Sequence, residues 1–283
     1  MSTCLGAAIV FLFPEDSETG LRDVGPGIMG FSLALAGSVM IMVSAISIGP
    51  ECLNGVPLLS VLFLQRAASF GLGWLMYSAL SAAFPEPEEV LVDASTILPF
   101  MSENGGVLRR ASSWTVGSDL ESSEQQRAWR VASLLFLSLL FHNFPEGLAV
   151  AASAMESDRL GLAVTTGIMI HNIPEGIAIA VPSLAARPDK PWLAFALASA
   201  SGLAEPMGAL VTLSVLKGAE HSSSVFNMEN ALALVAGTMV AVAVNELLPE
   251  GTRQSSQSDS PWTFHLGLVS GFIIMVITEM WLQ

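Results

Sequence analysis

The 283-residue chain is 52% hydrophobic and 13% charged, with a mean hydropathy of +0.60. A soluble domain carries about 25% charged residues, so long apolar runs at half that charge exclude an ordinary soluble fold and point to a membrane-embedded one. The formal net charge of -14 excludes nucleic acid as a partner, because that binding rests on basic patches.

The chain begins with CLGAAIVFLF at residues 4–13, too short to cross a bilayer and without the basic flank of a signal peptide. It reads as the second half of a transmembrane helix and is counted here as the first helix. Cys4 in this stretch and Cys52 further on have no CxxC spacing, so they make neither a disulfide framework nor a thiolate metal site. A membrane-crossing helix needs about 20 apolar residues. Seven segments qualify, near residues 27–49, 56–84, 131–155, 160–186, 192–216, 228–249 and 262–282.

Eight helices divide the loop cations unevenly. One side receives Arg22, Arg109, Arg110, Arg127, Arg130, Arg187, Lys190 and Arg253; the other receives Arg159 and Lys217, with Arg66 inside the third span. The positive-inside rule places the first set in the cytosol and both termini on the non-cytosolic side of a plasma or organelle membrane. Residues 85–130, rich in Ser, Glu and Gly, are predicted to form a disordered cytosolic loop. Its RRASS stretch suits a basophilic kinase acting on Ser112. The predicted organisation is one transmembrane domain: helices 1–3 over residues 1–84, the loop over 85–130, and helices 4–8 over 131–283.

Two spans carry nearly the same sentence: FHNFPEGLAVA at 141–151 and IHNIPEGIAIA at 170–180. Residues four apart share a helix face, which groups His142 with Glu146 and His171 with Glu175. Asn143 and Asn172 lie at the edge of those faces. Pro145 and Pro174 lack the N–H that would bond the carbonyl four residues back, so the carbonyls of Phe141 and Ile170 are predicted to be freed and the helices to kink nearby, tolerable in lipid only against protein or a wet cavity. A charged group at midspan costs roughly 2.5–3.5 kcal/mol on insertion scales, and such groups usually mark an ion path.

Glu205, in SGLAEPMGAL, adds a third midspan carboxylate, and Asn245 and Glu246 follow in VNELLPEG. Three glutamates close together need a counter-charge, and the spans offer only Arg66. A divalent cation or shared protons would supply it. Carboxylate, amide and imidazole ligands suit zinc, iron, manganese or cadmium, and bridging carboxylates make a two-metal site plausible.

These residues resemble the ZIP (Zrt/Irt-like) family of divalent metal transporters, in its broad-specificity branch. HNFPEG and HNIPEG match that family's signatures on helices four and five, and the likeness extends to Glu205, NELLPEG and the loop between helices three and four. The resemblance implies an all-α integral membrane bundle in which helices 1–3 and 6–8 are inverted repeats around helices 4 and 5. It implies one ion held by His142, Glu146 and Glu175. A second would involve Asn143, Asn172 and Glu205, with Glu146 and Glu175 bridging. Met40 and Ser44 on helix two, with Asn245 and Glu246, become candidates for a further ligand or gate, and His171 and Glu246 for auxiliary or exit-path groups.

Some family members have aspartate where this chain has Asn172, which implies a weaker second metal position here. The loop lacks the histidines many members carry.

The expected function is transport of zinc first, and iron, manganese or cadmium as further candidates, toward the cytosol by alternating access. The metal is cargo, and no cofactor is expected. The expected partners are divalent metal ions and the lipid bilayer, with a homodimer as an allowed assembly. A metal-selective channel with the same ligands is one rival. An intramembrane metalloenzyme is another, but the chain has no HExxH motif and no Glu-x-x-His motif of the di-iron bundles.

Overall fold

The computed structural model describes residues 2–84, 108–218 and 228–282, with side chains left undescribed at 108–122 and at a few helix-end positions. All regular elements among them are helices; an isolated antiparallel bridge joins Glu15 and Arg22.

Helix α1 (Thr3–Ala7) tightens into a 3-10 turn (Ala8–Phe11), giving the short first helix that the sequence predicts. Arg22 closes its end: Nη1 donates to the carbonyls of Phe11 at 3.0 Å and Phe13 at 2.6 Å. That is the usual use of a cation among the orphan carbonyls of a helix C-terminus. In the following loop the Asp16 carboxyl is held below its ordinary pKa by hydrogen bonds from the Glu18 N–H and the Thr19 side chain.

Helix α2 (Pro26–Met42) starts with proline at its first position, where the missing N–H has no partner to lose. It widens into a π turn (Val43–Ile48) and continues as α3 (Gly49–Leu53). Much later, α9 (Met228–Val242) does the same through a π turn (Ala243–Leu247) into α10 (Leu248–Ser256). Both π turns end next to a proline–glutamate pair, Pro50–Glu51 and Pro249–Glu250. A proline cannot close the usual bond, and a wider turn absorbs the mismatch.

Helix α4 (Val61–Ala82) is capped by the Ser60 hydroxyl, which accepts from Phe63 N–H at 3.1 Å. Helix α5 (Leu108–Glu156) begins well before the predicted fourth span. Residues 85–107 lie outside the described residues, while 108–130, read from sequence as loop, continue as helix into the span. Ser112 falls within this helix, among the undescribed side chains. Helix α6 (Asp158–Ala186) follows. Both α5 and α6 stay helical through Pro145, Pro174 and Pro182. The sixth predicted span is divided at Gly202–Leu203 into α7 (Pro191–Ser201) and α8 (Ala204–Gly218). Helix α11 (Trp262–Leu282) ends the bundle.

Among the described residues, six helical segments are long and apolar enough to cross a membrane: Pro26–Leu53, Ser123–Met155, Gly161–Ala186, Pro191–Ser214, Glu229–Ser256 and Trp262–Leu282. Helix α4, predicted as a span, is not among them; Gln65, Arg66 and its serines dilute an otherwise apolar sequence. Leu72, Leu75 and Met76 on α4, and Leu266, Val269 and Ile277 on α11, are nevertheless exposed, as lipid-facing side chains would be. The core is built from Leu33, Met40, Leu135, Leu139, Ile179 and Met239, with α2, α5, α6 and α9 contributing.

The most extensive helix pairs are α5 with α6, α2 with α11, α4 with α9, α5 with α8, and α1 with α6. The last two share one device. Gly147, directly after Glu146, lies against the Glu205 backbone, and Gly208 against the Phe144 carbonyl. Gly176, directly after Glu175, lies against the Thr3 carbonyl, and Gly6 against the Ile173 carbonyl. A side chain at any of the four would collide with backbone, so glycine is what lets these helices touch.

Candidate metal centre

Helices α5 and α6 bring the two HNxPEG stretches face to face in the bundle interior. His142, Asn143, Glu146, His171, Asn172 and Glu175 are all buried. The pairing is crosswise. His142 Nε2 lies 3.2 Å from Glu175 Oε1, and His171 Nε2 lies 3.4 Å from Glu146 Oε1, the latter outside hydrogen-bonding geometry. The closest His–Glu contacts thus run between the helices, while His142 and Glu146, predicted to share a face, stay in one cluster. Each motif thereby supplies a histidine to one pair and a glutamate to the other, a two-fold-like arrangement.

His142, Glu146 and Glu175 each offer a ligand atom within 4.8 Å of the others, a spacing that lets one ion touch all three. Several acceptors here have no protein partner: Asn143 Oδ1, Glu146 Oε2, Asn172 Oδ1 and Glu175 Oε2 are buried and unbonded. Buried acceptors are costly to leave unsatisfied, so four in one cluster call for a cation or ordered water. The amide nitrogens of the same asparagines are used. Asn143 Nδ2 donates to the Ser201 carbonyl at 3.2 Å, and Asn172 Nδ2 donates to Glu205 Oε1. Each amide is thus anchored with its oxygen left over for a ligand. Glu205 is half-buried and joins the cluster through Asn172.

The other sequence candidates lie elsewhere. Met40 is in the apolar core, and the Ser44 hydroxyl donates to the Met40 carbonyl at 2.8 Å. Asn245 is exposed and donates to the Ala241 carbonyl at 2.8 Å. Glu246 is buried but engaged by Arg130 and Tyr77.

A cavity of about 550 Å³ reaches Glu146 and His171 and is lined further out by Ser47, Glu51, Glu229 and Glu279. Ser47 Oγ donates to Glu279 Oε2 at 3.0 Å. This cavity lies at the end of the bundle where α3 and α11 finish and α9 begins. Its outer carboxylates belong to helix ends far apart in sequence, which residue spacing does not join.

A multi-pass α-helical membrane protein with a buried imidazole, carboxylate and amide cluster is a metal-handling class of protein. The family described as ZIP zinc transporter matches residues 104–279. A zinc transporter ZupT of Corynebacterium aurimucosum is 30% identical over 278 residues, covering 98% of this chain and 92% of the relative. One from Stenotrophomonas maltophilia is 31% identical over 281 residues, covering 98% and 90%. The zinc transporter ZTP29 of Arabidopsis thaliana is 30% identical over 249 residues, covering 88% and 80%. The chain belongs to the ZIP family.

Proposed function

We propose that this protein carries divalent transition-metal ions, zinc first, across the membrane toward the cytosol through a binuclear site between α5 and α6. The observation that carries the proposal is the cluster of buried, unbonded acceptors around His142, Glu146 and Glu175. Imidazole nitrogen with carboxylate and amide oxygen is a borderline-hard set that zinc accepts, and iron, manganese and cadmium also fit. Glu146 and Glu175, each with a second oxygen left over, suit a bridging role, with Asn143, Asn172 and Glu205 holding the second ion. The names of the relatives, zinc transporters in bacteria and a plant, point the same way. Membership of a transporter family sets the enzyme reading aside.

Alternating access fits an interior built on matched halves: two HNxPEG helices, two π-turn helices ending in Pro–Glu, and two glycine contacts of the same design. These parallels support inverted repeats formed by helices 1–3 and 6–8 around 4 and 5, within one transmembrane domain. The sidedness of the loop cations supports termini outside the cytosol.

The test is metal flux into proteoliposomes, with zinc, iron, manganese and cadmium in competition, for the unaltered chain and for His142→Ala. Saturable uptake that His142→Ala lowers at least roughly tenfold supports the site, since even groups behind metal ligands are worth 10–100-fold. Currents that do not saturate would favour the channel. Equal uptake by both proteins would remove the site from the path.

Asn172→Asp gives a second expectation. It removes the amide that donates to Glu205 and sets two carboxylates against each other. Without metal the variant is expected to unfold at lower temperature than the unaltered protein. With zinc added it is expected to gain more thermal stability, because the extra charge strengthens the second position. Thermal unfolding in detergent, with and without zinc, reads both changes.

A further inference from the structure

The cavity that reaches Glu146 and His171 lies toward one end of the bundle, and Arg130 and Glu246 lie toward the other. There, a set of ion pairs joins three helices. Arg130 of α5 donates through Nη1 to Glu246 Oε1 at 2.7 Å and through Nε to the Phe84 carbonyl at 2.6 Å, just past the end of α4. Tyr77 of α4 donates to Glu246 Oε2 at 3.1 Å. One turn further, Glu250 accepts from Arg253 at 2.6 and 2.9 Å and from Gln254 at 2.8 Å, with Arg127 at 3.7 Å. Arg253 also reaches Glu124. Tyr77, Glu246 and Glu250 are buried, and the Arg130 side chain is 11% exposed.

Twelve positions separate Arg130 from His142, roughly 18 Å along α5 at 1.5 Å per residue. The network therefore lies on the cytosolic side of the candidate site, opposite the cavity. As a source of stability it is a poor choice, because an apolar trio of the same volume would avoid the desolvation of the charges. As a closure it is apt. A guanidinium bound on a carboxylate is a tethered cation in the place a passing cation would use, and interfaces of this kind have discrete closed and open arrangements.

We propose that Arg130 is a gating residue: seated on Glu246 with Tyr77, it closes the cytosolic end of the metal path and must leave Glu246 for an ion to pass. The assignment rests on the transport reading above, but its test does not depend on metal flux. Ser138, buried one turn from His142 on the Arg130 side, is the reporter position. In the full chain with Cys4→Ser and Cys52→Ser, the thiol introduced by Ser138→Cys is labelled from the cytosolic face with a membrane-impermeant maleimide.

With the pair intact, labelling is slow. Arg130→Gln is expected to speed it roughly tenfold or more, because removing one partner of a buried pair leaves an uncompensated charge. Tyr77→Phe should give a smaller rise in the same direction. Exchanging the charges, Arg130→Glu with Glu246→Arg, should return the rate toward its starting value. An unchanged rate in monodisperse Arg130→Gln and Tyr77→Phe proteins overturns the proposal. So does a rise that the charge exchange leaves in place, which would be general loosening. A failed uptake experiment with an intact labelling response would count against the transport reading alone.

Discussion

Replacing both Glu146 and Glu175 by glutamine is expected to abolish saturable metal uptake while raising the thermal midpoint of the metal-free protein. The two effects have one cause. Each carboxylate is buried, faces the opposite helix's histidine, and has a second oxygen without a protein partner. Without metal, such oxygens are acceptors removed from water for no return, costing about 1–3 kcal/mol each. Glutamine keeps the shape, loses the charge and adds a donor, so the apo bundle should gain stability. An ion that needs bridging carboxylates loses them, so uptake should fall at least roughly a hundredfold, the upper end of what groups behind the ligands cost. Zinc, which should raise the midpoint of the unaltered protein by mass action, should leave the double variant unmoved. Proteoliposome uptake and thermal unfolding on the same preparations check all three. A stabilised variant that still transports would mean that the cluster is structural.

The motif was legible because its chemistry is incongruous. A His, an Asn and a Glu inside an apolar run carry a cost that demands a reason, and two copies in adjacent spans doubled the signal. The pairing was not legible. Spacing alone joins His142 to Glu146 and His171 to Glu175 on single helices, whereas the packing of α5 on α6 joins His142 to Glu175 and His171 to Glu146. Periodicity describes a face and says nothing about what that face meets.

The same limit hid the Arg130, Tyr77 and Glu246 network. Its members come from α4, α5 and the second π turn; Glu246 stood out in sequence by itself, but Arg130 and Tyr77 look like an ordinary charge and an aromatic near span ends. Helix interruptions were half visible. Pro145 and Pro174 announced trouble and Gly202 did not, and whether a proline yields a π turn or an uninterrupted helix depends on neighbours that can satisfy the freed carbonyl. Accordingly, α5 and α6 run through their prolines, while the chain widens before Pro50 and Pro249.

Adding a single methyl at Gly147 or Gly176 is expected to damage the protein, while the same change at Gly71 should improve it. In water-soluble helices alanine is favoured over glycine by about 0.8–1 kcal/mol, so propensity alone predicts stabilisation at all three. Gly71 on α4 has open space beside it, and there that gain should survive. Gly147 and Gly176 face the Glu205 backbone and the Thr3 carbonyl, which cannot turn aside as a flexible side chain would. The helices must separate, forfeiting contacts along their length; overpacking typically costs about 1–3 kcal/mol.

The consequence should reach the site. Gly147 follows Glu146 and packs on Glu205, so moving α8 away from α5 also moves Glu205 relative to Asn172. Gly147→Ala and Gly176→Ala are therefore expected to lower the thermal midpoint and zinc uptake together. Gly71→Ala should raise the midpoint and leave uptake unchanged. Opposite signs for one substitution on one background separate packing from propensity. Equal shifts at all three positions would show that close contact of α1 with α6 and of α5 with α8 does not hold the candidate site in shape.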